Sequence, residues 1–210
     1  MDRLQEMLIA YNKTIPENKR YSWSKQYLST PFPLYWQVVY SELAQLDRSM
    51  RILEVGAGQG DVTAISCYLG FKHVTAYERA SVDYAIAHEK IKYLFDRNDV
   101  LKNANYNNAL KTSDILILVN CAYADGSCNK EQYLSILKRY YVSANSPQVL
   151  LLEVIDSSYT IPDKDFPMWI RLSEEDIHSM FPKAEITSVE TYRYPQNKKS
   201  KKLYIIKHTS

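Results

Sequence analysis

Three of the five glycines in this 210-residue chain fall within five positions, in the run Ile52-Leu53-Glu54-Val55-Gly56-Ala57-Gly58-Gln59-Gly60-Asp61. The run opens with apolar strand formers and leads into a helix-like stretch, Val62 to Leu69. A strand that breaks into a glycine-rich turn and then a helix is suited to holding a nucleotide-like ligand. Glycine takes left-handed dihedrals and lets the backbone approach a ligand closely. The helix N-terminus adds free N–H groups and a partial positive charge.

The rest of the chain reads as strands alternating with helices. Residues 2–12 predict an amphipathic helix with Leu4, Met7, Leu8 and Tyr11 on one face. Residues 13–33, with Pro16, Pro31 and Pro33, read as loop, and a helix follows from Leu34 to Leu46. After the strand Arg51–Val55 come a helix over 61–69 stopped by Gly70, a strand His73–Tyr77, and a helix over 82–95 with Ser81 as cap. The asparagine-rich stretch 96–113 predicts a short third strand. Asp114–Val119 and Val149–Ile155 are continuous apolar runs flanking a helix at Lys130–Tyr141. Ser173-Glu174-Glu175-Asp176 reads as a capped helix start running to Met180. Strands near Ala184–Tyr192 and Leu203–Lys207 enclose a polar hairpin. Apolar strand centres alternating with helices imply an α/β fold whose parallel sheet is covered on both faces, with one antiparallel pair at the end.

Composition narrows the classes. Hydrophobic residues make up 46% and charged residues 24%, enough apolar side chains for a core. A net charge of +2 gives no global attraction to nucleic acid or an anionic membrane. The N-terminus lacks a signal-peptide pattern, and no apolar run approaches the roughly 20 residues of a membrane helix. Cys67, Cys121 and Cys128 form no CxxC pair, which argues against a disulfide framework or a zinc site and for a reducing, cytoplasmic compartment. The four histidines are not spaced as metal ligands, so no metal is expected. The expected assembly is a monomer or homodimer.

The glycine spacing is G-x-G-x-G, with Asp61 where a dinucleotide fingerprint has its third glycine. A carboxylate there disfavours a pyrophosphate and tolerates a cationic ligand. Leu53-Glu54-Val55-Gly56-Ala57-Gly58-Gln59-Gly60 resembles motif I of the class I, Rossmann-like methyltransferases that use S-adenosylmethionine. Thr75-Ala76-Tyr77-Glu78 resembles their second strand, whose terminal acid binds both ribose hydroxyls. Glu78 stands 18 residues after Gly60, and a carboxylate can accept two hydrogen bonds from a vicinal diol. The resemblance spans roughly residues 48–208 and implies a three-layer sandwich on a mostly parallel seven-stranded sheet. Residues 1–47 would form a helical, aromatic cap.

The same resemblance implies S-adenosylmethionine as cofactor, held by Glu54, Gly56, Ala57, Gly58, Gly60, Glu78, Arg79 and Asn120. An asparagine, Asn105 or Asn107, stands where the family usually carries an acid to read adenine. Asn120-Cys121-Ala122-Tyr123 keeps the first and last residues of the Asn-Pro-Pro-Tyr motif of amino-group methyltransferases but neither proline. Strand exits share the ligand cleft in such sheets, so Tyr123, Asp125 and Asp156 are candidates for the base or positioning group in methyl transfer. Tyr21, Trp23 and Tyr27 are candidates for the acceptor pocket.

These readings predict a methyltransferase for a small-molecule acceptor, with a sugar or glycan hydroxyl favoured; nucleic acid and membrane are not expected partners. The alternatives are a nucleic-acid or protein amino group as target, a non-catalytic S-adenosylmethionine-binding domain, and a nicotinamide-dependent oxidoreductase. Lys198-Lys199-Ser200-Lys201-Lys202 is a basic cluster that reads as a solvated turn, with contact to phosphate as the alternative.

Overall fold

The computed structural model describes residues 1–17, 31–106, 112–121, 123–124, 126–193, 195 and 199–208. The chain forms two compact units, one of residues 1–50 and 57–105, the other of residues 51–56 and 106–210. The crossing from the second unit back to the first falls inside the glycine run, between Gly56 and Ala57.

The first unit contains α1 (Asp2–Thr14), α2 (Leu34–Ala44), α3 (Asp61–Tyr68), β2 (His73–Glu78), α4 (Ser81–Phe95) and β3 (Leu101–Asn103). Strands β2 and β3 are parallel, with Glu78 opposite Asn103. Helix α1 buries Leu4, Leu8 and Tyr11, and the Tyr11 ring packs 5.2 Å from Tyr93 of α4. Helix α2 buries Tyr35, Trp36, Val39 and Leu43, and Tyr40 meets Tyr68 of α3 at 6.4 Å. Gly70 ends α3 in a Schellman arrangement: its own amide donates to the Cys67 carbonyl, and the Phe71 amide to the Ser66 carbonyl. Its φ of +85° is why glycine suits that place.

The second unit contains β1 (Arg51–Val55), β4 (Ile115–Leu118), α5 (Lys130–Ser143), β5 (Val149–Asp156), β6 (Arg171–Leu172), α6 (Glu174–Met180), β7 (Glu185–Tyr192) and β8 (Lys201–Lys207). Strands β1, β4 and β5 run parallel in that order. Strands β8 and β7 follow β5 as antiparallel neighbours, with an irregularity between Glu190 and Tyr192. Every residue of β4 and β5 is buried, as a parallel sheet covered on both faces requires. Each fully buried Ile, Leu or Val there contributes about 1.5–3 kcal/mol of transfer free energy.

Among the described residues the strands of each unit pair in parallel, apart from the C-terminal antiparallel pair of the second. The sequence pattern misses β6, whose two residues are too few to show alternation. It also starts the last strand at Leu203, because two lysines look like turn. The strand begins at Lys201, whose backbone pairs with both Ile155 and Tyr192. Ser81 is not the cap of α4. That position is Ala80, and the Ser81 hydroxyl donates instead to the Asn103 side chain at 3.4 Å. The Ser173 cap is formed as expected, in a reciprocal box with Asp176.

Candidate functional site

In the first unit the glycine turn is built around Glu78. The Ala57 amide donates to the Tyr77 carbonyl at 3.0 Å, which lays the turn along the end of β2. One Glu78 carboxylate oxygen accepts from the Gly58 amide and the other from the Ala80 amide, both at 2.7 Å. Glu78 is 8% exposed. Each oxygen retains capacity for a second bond, since an ionised carboxylate offers about four acceptor sites. Asn103 supports the strand end by donating to the Glu78 carbonyl at 3.0 Å.

Two glycines of this turn have different reasons to be glycine. At Gly60, φ is +76° and a Cβ would lie 2.9 Å from the Ala87 Cβ, so α3 and α4 meet too closely for a side chain. At Gly58, φ is +54° and a Cβ would meet nothing within 4 Å. The turn therefore presents bare backbone to open space beside the Glu78 carboxylate. Asp61, at the first position of α3, forms an ion pair of 2.5 Å with the buried Lys90. Arg79 and Asn105 are exposed.

In the second unit the exits of β1, β4 and β5 converge. Glu54 is buried in β1, and a Cβ on Gly56 would stand 3.4 Å from the Cys121 side chain. Asn120 and Tyr123 take left-handed backbone, with φ of +57° and +51°. The Tyr123 hydroxyl donates to the Val55 carbonyl at 2.7 Å. Burial, ahead of the nearby Cys121 and Glu54, pushes this phenol well above its ordinary pKa. Tyr123 thus pins its loop to the end of β1 and keeps its proton there.

Asn120 joins a buried polar network. Its amide donates to Glu153 at 3.0 Å, and its side-chain oxygen accepts from Lys201 at 3.0 Å. Lys201 also pairs with Glu153 at 3.2 Å, and the other Glu153 oxygen accepts from the Thr191 hydroxyl at 2.6 Å. Asp156 is buried at the end of β5. It accepts from the Ser158 amide at 2.9 Å and stands 3.5 Å from the Lys202 ammonium. Tyr21, Trp23, Tyr27, Asn107 and Asp125 lie outside the described residues. Among the described residues no cluster of His, Cys, Asp and Glu is placed to hold a metal ion, and no helix is long and apolar enough to cross a membrane.

Several solved structures similar to this chain are methyltransferases. An S-adenosylmethionine-dependent methyltransferase from Clostridium acetobutylicum is 14% identical, with a TM-score of 0.59 over 90% of this chain and 96% of that one. The magnesium protoporphyrin IX methyltransferase of Synechocystis, crystallised with bound S-adenosylmethionine, is 15% identical, with a TM-score of 0.57 over 82% and 79%. The 1,6-didemethyltoxoflavin-N1-methyltransferase of Burkholderia thailandensis, bound to 1,6-didemethyltoxoflavin and S-adenosylhomocysteine, is 15% identical, with a TM-score of 0.60 over 85% and 80%. The chain has the class I methyltransferase fold. No protein-family model matches it, and no curated protein matches it in sequence.

Within this methyltransferase fold, the sequence pattern passes over Glu153 and Thr191 and reads Lys199 and Lys201 as a solvated turn. Glu153 carried a signal. It is the one charged residue inside the apolar run Val149–Ile155, and a carboxylate in a fully buried strand requires a partner. Its partners are 33, 38 and 48 residues away in the chain, beyond the reach of any local pattern.

Proposed function

We propose that the chain is an S-adenosylmethionine-dependent methyltransferase acting on a small-molecule acceptor. The observation that carries this reading is the Glu78 carboxylate, fixed at the strand end by the Gly58 and Ala80 amides with bare glycine backbone beside it. A carboxylate so placed suits a ribose diol, and the open side of Gly58 suits close approach of the adenosyl group. Gly56, Ala57 and Gly60 shape the turn, while Glu54, Arg79, Asn105 and Asn120 remain candidate cofactor contacts. The binding of S-adenosylmethionine or its product by proteins of the same fold supports the cofactor assignment.

When bound, the cofactor supplies an electrophilic methyl group on a sulfonium. The protein then has to orient an acceptor and, for a hydroxyl acceptor, take its proton. Asp156 and Asp125 are the proposed groups for that proton. Tyr123, whose hydroxyl is held by the Val55 carbonyl, is proposed as a positioning residue for the loop after β4. A sugar hydroxyl remains an acceptor option.

Thermal unfolding with S-adenosylhomocysteine or NAD tests the reading. A ligand at about 100 times its Kd adds about 2.7 kcal/mol, a readily measured rise in Tm. S-adenosylhomocysteine should stabilise the protein and NAD should not. Stabilisation by NAD alone would replace the reading with an oxidoreductase one.

A further inference from the structure

The second unit contains a cavity of about 370 Å³ whose walls include Asn120, Glu153, Asp165, Phe166, Lys199 and Lys201. That volume falls in the range of small-molecule sites. Lys199 lies in the bend that leads into β8 and Lys201 opens the strand, and both residues line this cavity. Lys201 donates to Asn120 and Glu153, which leaves one of its three N–H donors. The Lys199 ammonium sits 3.3 Å from the centre of the Phe166 ring.

The Lys199 charge is disfavoured where it stands, chiefly by burial, although the Asp165 carboxylate lines the same cavity. Burial pushes its pKa down to about 8, and the Lys201 charge pushes the same way, against the pull of Asp163, Glu153 and Asp165. Two of those carboxylates have other work. Glu153 serves Lys201, Asn120 and Thr191. Asp163 accepts from the Tyr159 hydroxyl and from the Asp165 and Phe166 amides. Two desolvated ammonium groups at one cavity repel each other, and an anion between them turns that repulsion into attraction.

The geometry points to a binding site for a small organic oxyanion, a carboxylate or phosphate held between Lys199 and Lys201 with its apolar body against Phe166, Val154 and Ile155. Naming that molecule the methyl acceptor rests on the proposed function; the anion site itself does not. The reading replaces the solvated-turn expectation for residues 199–202, of which Ser200 and Lys201 are only 6% and 8% exposed.

Calorimetric titration with benzoate, phenyl phosphate, benzyl alcohol and benzylamine tests it, with and without saturating S-adenosylhomocysteine. One or both anions should bind at least about tenfold more tightly than the alcohol and the amine, and the tighter of the two identifies the oxyanion. Lys199→Gln should lower anion affinity about tenfold while leaving Tm and S-adenosylhomocysteine binding unchanged. Raising the pH from 7 to 9.5 removes the Lys199 proton, so anion affinity should fall in the wild type and fall less in Lys199→Gln. Equal binding of benzyl alcohol or benzylamine, or full anion affinity in Lys199→Gln, would overturn the proposal. Anion binding without any S-adenosylhomocysteine binding would uphold the site and defeat the methyltransferase reading instead.

Discussion

The Glu78 carboxylate accepts a 2.7 Å hydrogen bond from the amide of Gly58, 20 residues earlier in the chain. With the matching bond from Ala80, one side chain ties the glycine turn to the start of α4. Glu78→Ala should therefore do two things. It should remove the Tm rise given by S-adenosylhomocysteine, and it should lower the stability of the free protein by about 1–3 kcal/mol, because two amides lose a charged partner. Denaturant unfolding with and without ligand separates the two effects.

Gly60 and Gly58 should respond differently to alanine. Gly60→Ala meets both a left-handed φ and a 2.9 Å clash with Ala87, so it should cost more than about 2 kcal/mol and disturb the α3–α4 contact. Gly58→Ala meets only the unfavourable φ, a cost of about 1 kcal/mol. Its larger effect should be on cofactor affinity, since the new methyl occupies the open side of the turn. Unfolding midpoints and S-adenosylhomocysteine titrations of the two variants check the contrast.

Asp176 makes the capping box of α6 pH-dependent. Burial opposes its charge, but hydrogen bonds from Lys130 and Ser173 outweigh burial and hold its pKa below the usual carboxylate value. The unfolded pKa is about 3.9. A group depressed in the folded state stabilises fully above that value and loses its contribution as pH falls through the folded pKa. Asp176→Asn should cost about 1 kcal/mol at pH 7, and its Tm should converge on the wild-type value as pH falls through the lowered folded pKa. A gap that stays constant as that carboxyl protonates would contradict the capping role.

Arg171 organises the segment that carries Phe166. Its guanidinium, 4.5 Å above the Tyr159 ring, donates to the carbonyls of Tyr159, Ile161 and Phe166, and the residue is 2% exposed. Arg171→Met should destabilise by about 3 kcal/mol, because several buried carbonyls lose a charged donor at once. Arg171→Lys should recover little, since an ammonium cannot span those carbonyls as a planar fork does. Proteolysis mapped between residues 157 and 171 should increase in both variants.

Local signals carried most of the architecture. The glycine run with its flanking strand, the apolar runs at 115–119 and 149–155, Gly70 and Ser173 each combine a short-range pattern with one physical cause, and each stands where that cause puts it. The candidate site was legible only where it is local. Glu78 could be placed from its distance to the turn, but its use as a brace for two amides could not. The Glu153–Lys201–Asn120–Thr191 network draws on residues separated by up to 81 positions, so no sequence window contains it. Lys201 and Lys202 read as turn because lysine is seldom buried, and the partners that permit it, Glu153 and Asp156, belong to a distant strand.

The proposed grip of Glu78 on the ribose is most directly tested by titrating wild type and Glu78→Gln with S-adenosylhomocysteine and with its 2′-deoxy analogue. In the wild type, loss of the 2′-hydroxyl should weaken binding about tenfold or more, and in Glu78→Gln the two ligands should bind much more nearly alike. If the wild type binds both ligands equally, or if the variant discriminates between them as the wild type does, the ribose assignment is wrong.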